Sequence, residues 1–556
     1  MNLKKFFKTK LTILILILLL ASFLRFWNLG NVPPSASLDE ASIGWNAYSV
    51  LKTGGDEYGK FPLISQRGYD DFRRSTYLLL VVPSVGFFGL NTISVRLPAI
   101  ILSILTIWAT YHIVLLLFLK HSKFSSLVAF LASFMLAISP WHIYISRLGH
   151  ESNACLSFLV FGVFFFLKGV GQKSFGKVLL SMIFFTLSMI SYYSGQAFIP
   201  LFVLGLILIY RKEFISIVKT NKKTLISFFV FIIILIPIFW SIFSPQALIR
   251  FQGTSTFKPE AHPKEFAKQV ELRNKAVQNN DLIGMVFYNR RLFPVQVFIE
   301  GYLSHLNPKW LFTNSAIESF KIPYMGLLYL WEIPLILLGI SVLFLNNLMS
   351  KKAKKLIFLW FILAPLPAAL ATQTPHAMRS YNFLPTWQIF TGLGLAYTIF
   401  KLQRFKIVIL SIFSIIVILS LQALYKNYFI LFPKLESSSF QYALSNATPY
   451  IEERKKDYKK IVFSNKDNLF QSYMFYLFYT KYDPKKYQNQ GGTISGGFRE
   501  NHKIDNLYFE PFNFTSNKYP KGTLFVGNPN EFPKSIIPIK TFRNLDGREA
   551  IKILAI

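Results

Sequence analysis

The sequence predicts a polytopic α-helical membrane protein of about eleven spans with an external C-terminal α/β domain. Three observations predict it. Of 556 residues, 52% are hydrophobic and 17% aromatic, and apolar runs of roughly 16–25 residues recur, each of a length that crosses a bilayer. The basic excess, 60 Lys and Arg against 27 Asp and Glu, falls in short clusters between those runs. From about residue 425 the composition turns polar and rich in Lys, Asn and Tyr, with no further span.

The N-terminus, Lys4-Lys5-Phe-Phe-Lys8-Thr-Lys10 followed by Leu11–Leu24, has the outline of a signal peptide. No small-residue cleavage site follows, and Arg25-Phe-Trp27 forms an interfacial girdle, so an uncleaved first helix is expected. The remaining spans are expected at roughly 97–119, 124–140, 153–167, 178–194, 197–210, 225–243, 325–346, 356–372, 383–400 and 407–424. Tyr77–Phe88 is apolar but short, and Pro83, Gly86 and Gly89 interrupt it, which favours a re-entrant or interfacial segment. Charge supports that choice. With Tyr77–Phe88 not crossing, one face receives the N-terminus, Lys120–Lys123, Lys168–Lys177, Arg211–Lys223, Lys351–Lys355 and Lys401–Lys406, which hold 21 Lys or Arg and one acid, Glu213. That face is cytoplasmic by the positive-inside rule.

The formal charge of +33 thus reflects topology and not a nucleic-acid surface. The single cysteine, Cys155, excludes an intrachain disulfide and a Cys-based metal site. No P-loop or dinucleotide fingerprint is present, which disfavours nucleotide-driven transport.

On the external face lie loops 29–96 and 244–324, the turn Ser139–Ser152, the loop Thr372–Asn382, and everything past about Tyr425. Within the last, Lys460–Ser464, Gly522–Gly527 and Ala550–Ile556 read as strands and Asp467–Tyr479 as a helix. The domains are therefore expected to be 1–424, the membrane part, and 425–556.

The chemically suggestive residues cluster on that face. Asp39-Glu40 is a rare acidic pair just beyond the first span. Ser37-Leu-Asp-Glu40 matches a capping box opening an amphipathic helix that runs to Lys52 and stops at Gly54-Gly55. This explains Glu40 and leaves Asp39 as a dipole-favoured charge or a functional carboxylate. Ser139-Pro-Trp-His142…Arg147-Leu-Gly-His150-Glu151 sets three ionisable groups at a membrane boundary. The bland reading is an Arg147–Glu151 ion pair at i,i+4; the functional one directs Glu151 to the same pocket as Asp39. Thr372-Gln-Thr-Pro-His376-Ala-Met-Arg379 carries an external arginine against the charge rule, and its planar fork suits a phosphate. In the first loop, Arg67, Arg73 and Arg74 flank Tyr69-Asp70-Asp71, offering Arg74 as a further phosphate ligand and Asp70-Asp71 as a solvated turn or metal ligand.

Together, the acidic pair after the first span, the broken segment ending Phe88-Gly89, Arg96-Leu-Pro98, Ser139-Pro-Trp-His…Ser146-Arg147 and His376…Arg379…Pro385 resemble the GT-C membrane glycosyltransferases. Over about residues 1–400 the pattern is most similar to glycosyltransferase family 39, the protein O-mannosyltransferases and lipid A aminoarabinose transferases. The resemblance implies inverting transfer of a hexosyl or pentosyl group from a polyprenyl-phosphate donor to a lipid, protein or glycan acceptor at the outer face of the cell membrane. It assigns Asp39 as base, with Glu40 and Glu151 as further acidic site residues, and Arg379 on the lipid phosphate. His376 and Arg74 are expected to assist on the phosphate, Arg147 and His150 to support the site. A divalent ion is compatible with Asp39, Glu151, His150 and His376, though no spacing demands one, and no other cofactor is expected. The rival readings are an oligosaccharyl or glycan-polymer transferase, a lipid-linked-sugar transporter, which should show internal repeats and mid-membrane polar residues, and a non-catalytic envelope scaffold.

Overall fold

The computed structural model describes residues 3–69, 71–119, 122–219, 253–314, 320–494, 500–514 and 519–556, with isolated positions 226, 229, 236, 240 and 318. The span expected at about 225–243, apart from those isolated positions, and Asp70 lie outside the described residues. The chain divides into two compact units: Met1–Ala21, Ile104–Ile145 and Ser152–Val417 form one, and Ser22–Ser103, Ser146–Glu151 and Ile418–Ile556 the other.

The first unit is helical. In chain order the helices of both units before residue 220 are α1 (Leu3–Phe26), α2 (Leu38–Thr53), α3 (Thr76–Phe88), α4 (Thr92–Leu117), α5 (Lys123–Ile138), α6 (Pro140–Ser146), α7 (Glu151–Gly171), α8 (Phe175–Ser191), α9 (Tyr193–Ile209) and α10 (Arg211–Val218). Among the described residues, α4, α7 and the run Gln403–Leu435 are long and apolar enough to cross a membrane. Two further bent pairs, α5 with α6 at 56° and α9 with Arg211–Ile217 at 89°, raise that to five if each pair is one span. Helices Glu332–Leu345 and Thr386–Lys401 pack backbone to backbone. A Cβ on Gly339 would collide with the Phe390 carbonyl, and one on Gly394 with that of Leu335, so small residues set this crossing as they do between membrane helices.

The second unit contains α2, α3 and the C-terminal α/β part. α3 has 13 residues, about 20 Å of helix, short of a ~30 Å hydrocarbon layer. Strands β1 (Ser65–Gly68) and β2 (Asp71–Arg74) form an antiparallel hairpin. Strands β3 (Lys460–Phe463), β4 (His502–Ile504), β5 (Leu507–Phe509), β6 (Thr523–Gly527), β7 (Lys540–Arg543) and β8 (Glu549–Ala555) make one sheet of order β4-β5-β3-β6-β8-β7. β3 runs parallel to both β5 and β6, and the outer pairings are antiparallel. Val462, Phe512, Phe525, Phe532 and Leu554 form a core against it. The three strands expected from sequence are present as β3, β6 and β8. The expected helix is shorter, Ser472–Tyr479, because Gln471 at φ 62° breaks it from the turn at Asp467–Leu469.

The capping box is present: Ser37 accepts from the Glu40 amide, the Glu40 carboxylate accepts from the Ser37 amide, and Gly54 closes the helix at φ 78°. The amphipathic interfacial helix expected here is instead buried on nearly all sides from Glu40 to Val50. It packs against α3 and against helices Ser472–Tyr479 and Pro484–Asn489. Trp45 Nε1 donates to the Tyr482 carbonyl at 3.2 Å, and Gln488 Nε2 reaches Ser49 Oγ and the Asp56 carbonyl. Glu57 lies at the centre of this junction, 1% exposed, accepting from Asn46, Tyr473 and Thr493 at 3.2, 3.0 and 2.6 Å. Burial pushes its carboxyl up to about 7 against the opposing effect of those donors. A carboxyl raised in the fold binds its proton more tightly there than in the unfolded chain. Its contribution is therefore most favourable below the ordinary value of 4.5 and declines as pH rises from about 4.5 to about 7. Glu57→Gln should raise the thermal midpoint at pH 8 and leave it nearly unchanged at pH 5, by differential scanning fluorimetry of the purified protein in detergent.

Candidate active site

The site in the second unit is built around a buried ion pair. Arg96 on α4 is fully enclosed and Glu40 is 1% exposed. Arg96 Nε and Nη2 donate to the two carboxylate oxygens at 2.7 and 3.0 Å. Its other N–H groups reach the carbonyls of Leu29, Pro33 and Ser35 at 2.9, 3.0 and 2.6 Å, so all five donors of the fork are used. Glu40 accepts in addition from the amides of Ser37 and Gly149, both at 2.8 Å. Position 149 must be glycine for this approach, since a Cβ there would lie 2.7 Å from Val95 Cγ1. One pair thereby fixes the segment after the first helix, the start of α2 and the turn before α7.

Asp39 differs from its neighbour. It is 39% exposed and pairs with Arg73 Nη2 at 2.6 Å, and Arg73 also lies over the Tyr69 ring, 5.2 Å from its centroid. His150 Nε2 stands 3.8 Å from the second Asp39 oxygen and 3.4 Å from Glu151 Oε2. Two carboxylates, one imidazole and one guanidinium thus converge at the N-termini of α2 and α7, where the helix dipoles favour negative charge. Glu151 is nearly buried. The arrangement offers one solvent-accessible carboxylate oriented by an arginine.

Other expected residues fall elsewhere. Arg147 is fully buried and donates to the carbonyls of Leu24, Arg25 and Val32 at 3.0, 2.7 and 2.6 Å, with Phe429 and Tyr428 against its guanidinium. It anchors the end of α1, and the i,i+4 pair with Glu151 does not form. Arg74 is 4% exposed and follows Arg73 on β2, so successive side chains take opposite faces. Arg73 is the residue that meets the Asp39 carboxylate.

His376 and Arg379 belong to the first unit. Arg379 Nη1 donates to the Thr372 carbonyl at 2.5 Å and its amide to His376 Nδ1 at 3.3 Å. The His376 amide in turn donates to His305 Nε2 at 3.0 Å, and His305 Nδ1 lies 2.6 Å from the Gly301 carbonyl. These partners require His305 to be neutral with its proton on Nδ1. Burial drives its pKa down to about 4, and the Arg379 charge adds to the effect. The motif around Trp141 joins the same loop: Trp141 Nε1 donates to the Ala377 carbonyl at 3.0 Å, and His142 stacks on Tyr381. His305 was not visible in the sequence, because a single histidine in a long loop has no spacing that marks it.

Comparison with known proteins gives the fold. A family model described as dolichyl-phosphate-mannose-protein mannosyltransferase matches residues 79–240. The structure superposes on the oligosaccharyltransferase AglB from Archaeoglobus fulgidus, solved with an inhibitory peptide and a dolichol-phosphate, with TM-score 0.50 and 13% identity over 86% of this chain and 64% of that one. A second structure of that archaeal oligosaccharyltransferase, solved with Zn and sulfate, gives 0.50 and 14% over 84% and 61%. The chain has the GT-C glycosyltransferase fold. It spans less than two thirds of the archaeal chains that share this fold. ArnT from Cupriavidus metallidurans, bound to undecaprenyl phosphate, is similar over 99% of this chain and 98% of its own, at 10% identity and TM-score 0.49. No curated protein matches the sequence.

Among the described residues of this GT-C fold, no group of three or more His, Cys, Asp or Glu side chains is arranged to hold a metal ion. The donor set also fits one poorly, since the Asp39 carboxylate faces a guanidinium at 2.6 Å. The buried pair yields a direct prediction. Glu40→Ala leaves a buried guanidinium without its counter-charge and should cost about 3–5 kcal/mol, whereas Asp39→Asn removes a half-exposed pair and should cost at most about 1 kcal/mol. Chemical unfolding of both variants in detergent checks the contrast.

Proposed function

We propose that the protein is an inverting glycosyltransferase that moves a sugar from a polyprenyl-phosphate donor to a hydroxyl or similar nucleophile, with Asp39 as general base. The observation that carries this reading is the asymmetry within the acidic pair: Asp39 is 39% exposed on Arg73, while Glu40 is enclosed with Arg96. Only the first has a carboxylate that an acceptor can reach. Asp39 accepts the acceptor proton as its oxygen attacks the anomeric carbon from the face opposite the phosphate. The bond from that carbon to the phosphate oxygen breaks, and the phosphate leaves with the electron pair. Arg73 and His150 hold the base in orientation, Glu151 completes the acidic wall through His150, and Glu40 acts by positioning.

The departing phosphate gathers negative charge, for which Arg379 and His376 are the proposed partners. The bond from the Arg379 amide to His376 Nδ1 supports this, because it leaves Nε2 as the ring donor. We further read the chain as crossing the cell membrane eleven times with the N-terminus cytoplasmic and the site and residues 425–556 external, the arrangement that gathers 21 basic residues and one acid on one face. The likeness to an oligosaccharyltransferase fold favours one second reading, transfer of a longer glycan.

Membranes supplied with a panel of polyprenyl-phosphate and polyprenyl-diphosphate sugars test both readings: turnover of a monophosphate monosaccharide supports the first, and exclusive turnover of a glycan diphosphate the second. Asp39→Asn should lower kcat by about 10²–10⁴-fold with the thermal midpoint retained; undiminished turnover overturns the assignment. Because the described carboxylates and histidines form no metal set, treatment with a chelator should leave transfer intact.

A further inference from the structure

The C-terminal part carries a cavity of about 300 Å³ that the transfer reaction does not use. Its position follows from the sheet topology. β3 is flanked by two parallel neighbours, β5 on one side and β6 on the other, so the chain leaves the carboxyl ends of β3 and β6 in opposite directions. In open α/β sheets such a switch point leaves a crevice beyond the carboxyl ends of the strands, and ligands bind there. Asp467 and Asn468 come from the loop after β3, and Asn530 from the loop after β6; all three line the cavity.

The lining has a definite chemistry. The side chains of Asp467, Asn468, Asn530 and Asn544 make no hydrogen bond to other described residues. Three amides and a carboxylate therefore face the space with both donors and acceptors unused. Leu469 and Ile551 supply an apolar floor. The walls are held: Gln441 Nε2 donates to the Asn468 carbonyl at 3.0 Å and Asn528 Nδ2 to the Lys466 carbonyl at 3.1 Å. Gln441 and Asp467 both adopt left-handed backbone, φ 50° and 47°, the kind of local strain that gathers at binding sites. The one cation on the rim, Arg548, is neutralised by Asp546 at 2.5 Å, so the cavity is not built for an anion.

We infer that this cavity is a saccharide-binding site, taking a neutral sugar of one or two rings. The amides and Asp467 bridge adjacent hydroxyls, and the apolar floor meets the ring's C–H face. The size suits such a ligand, being at the small end of ligand pockets. The site stands independently of Asp39, and its occupancy needs no transfer.

Saturation-transfer NMR on the full chain in lipid nanodiscs tests it, with methyl mannoside, N-acetylglucosamine, galactose, arabinose and inorganic phosphate as probes. At least one saccharide should receive saturation, about tenfold more weakly in the double variant Asn468→Ala/Asn530→Ala and unchanged in Asp39→Asn. Both asparagines are exposed, so the thermal midpoint should not move. Asn530→Trp, which fills the cavity from its rim, should abolish the signal. Binding of phosphate alone, of no probe, or of a sugar lost only in Asp39→Asn overturns the inference.

Discussion

The buried pair of Glu40 and Arg96 is the constraint on which the rest of the site depends. A carboxylate and a guanidinium taken out of water cost several kcal/mol each unless every lone pair and proton is satisfied. Here the guanidinium uses all its donors and the carboxylate accepts four hydrogen bonds. What the pair secures is geometry. Residues 29–35, the start of α2 that follows them, and the distant turn at Gly149 are tied to one point. Asp39 and His150, next to those ties, have their directions set by a group that itself has no access to solvent.

The C-terminal part extends the same logic. Ser35 Oγ donates to the Phe440 carbonyl at 2.6 Å and the Ala36 amide to the Tyr479 hydroxyl at 3.0 Å, so the segment that Arg96 grips is also held from the far end of the sequence. α2 is clamped by Tyr473, Gln488 and Thr493 through Glu57 and its neighbours. A helix that reads as surface-lying is therefore a buried strut, with Asp39 half-exposed in its first turn.

The sequence made much of this legible. The capping box was readable because its chemistry is local, three residues apart. The strands at Lys460, Thr523 and Glu549 were readable because apolar residues cluster between turn formers. The role of Arg96 was not, since its partners lie 56 to 67 residues away and no spacing encodes a tertiary contact. The pairing of Arg73 with Asp39 was hidden for a related reason: the two lie 34 positions apart on different elements, and no spacing encodes their meeting. The burial of α2 was missed because two of the three helices it packs against come from beyond residue 470.

In the proposed mechanism Asp39 deprotonates the acceptor and its neighbours only aim it. Azide tests this most directly, because it attacks an anomeric carbon without needing a base. Asp39→Ala given a donor that the wild-type protein turns over, together with azide, should form the glycosyl azide of inverted configuration while failing to glycosylate the natural acceptor. A retained configuration, or transfer to the acceptor as fast as in the wild-type protein, would contradict the account.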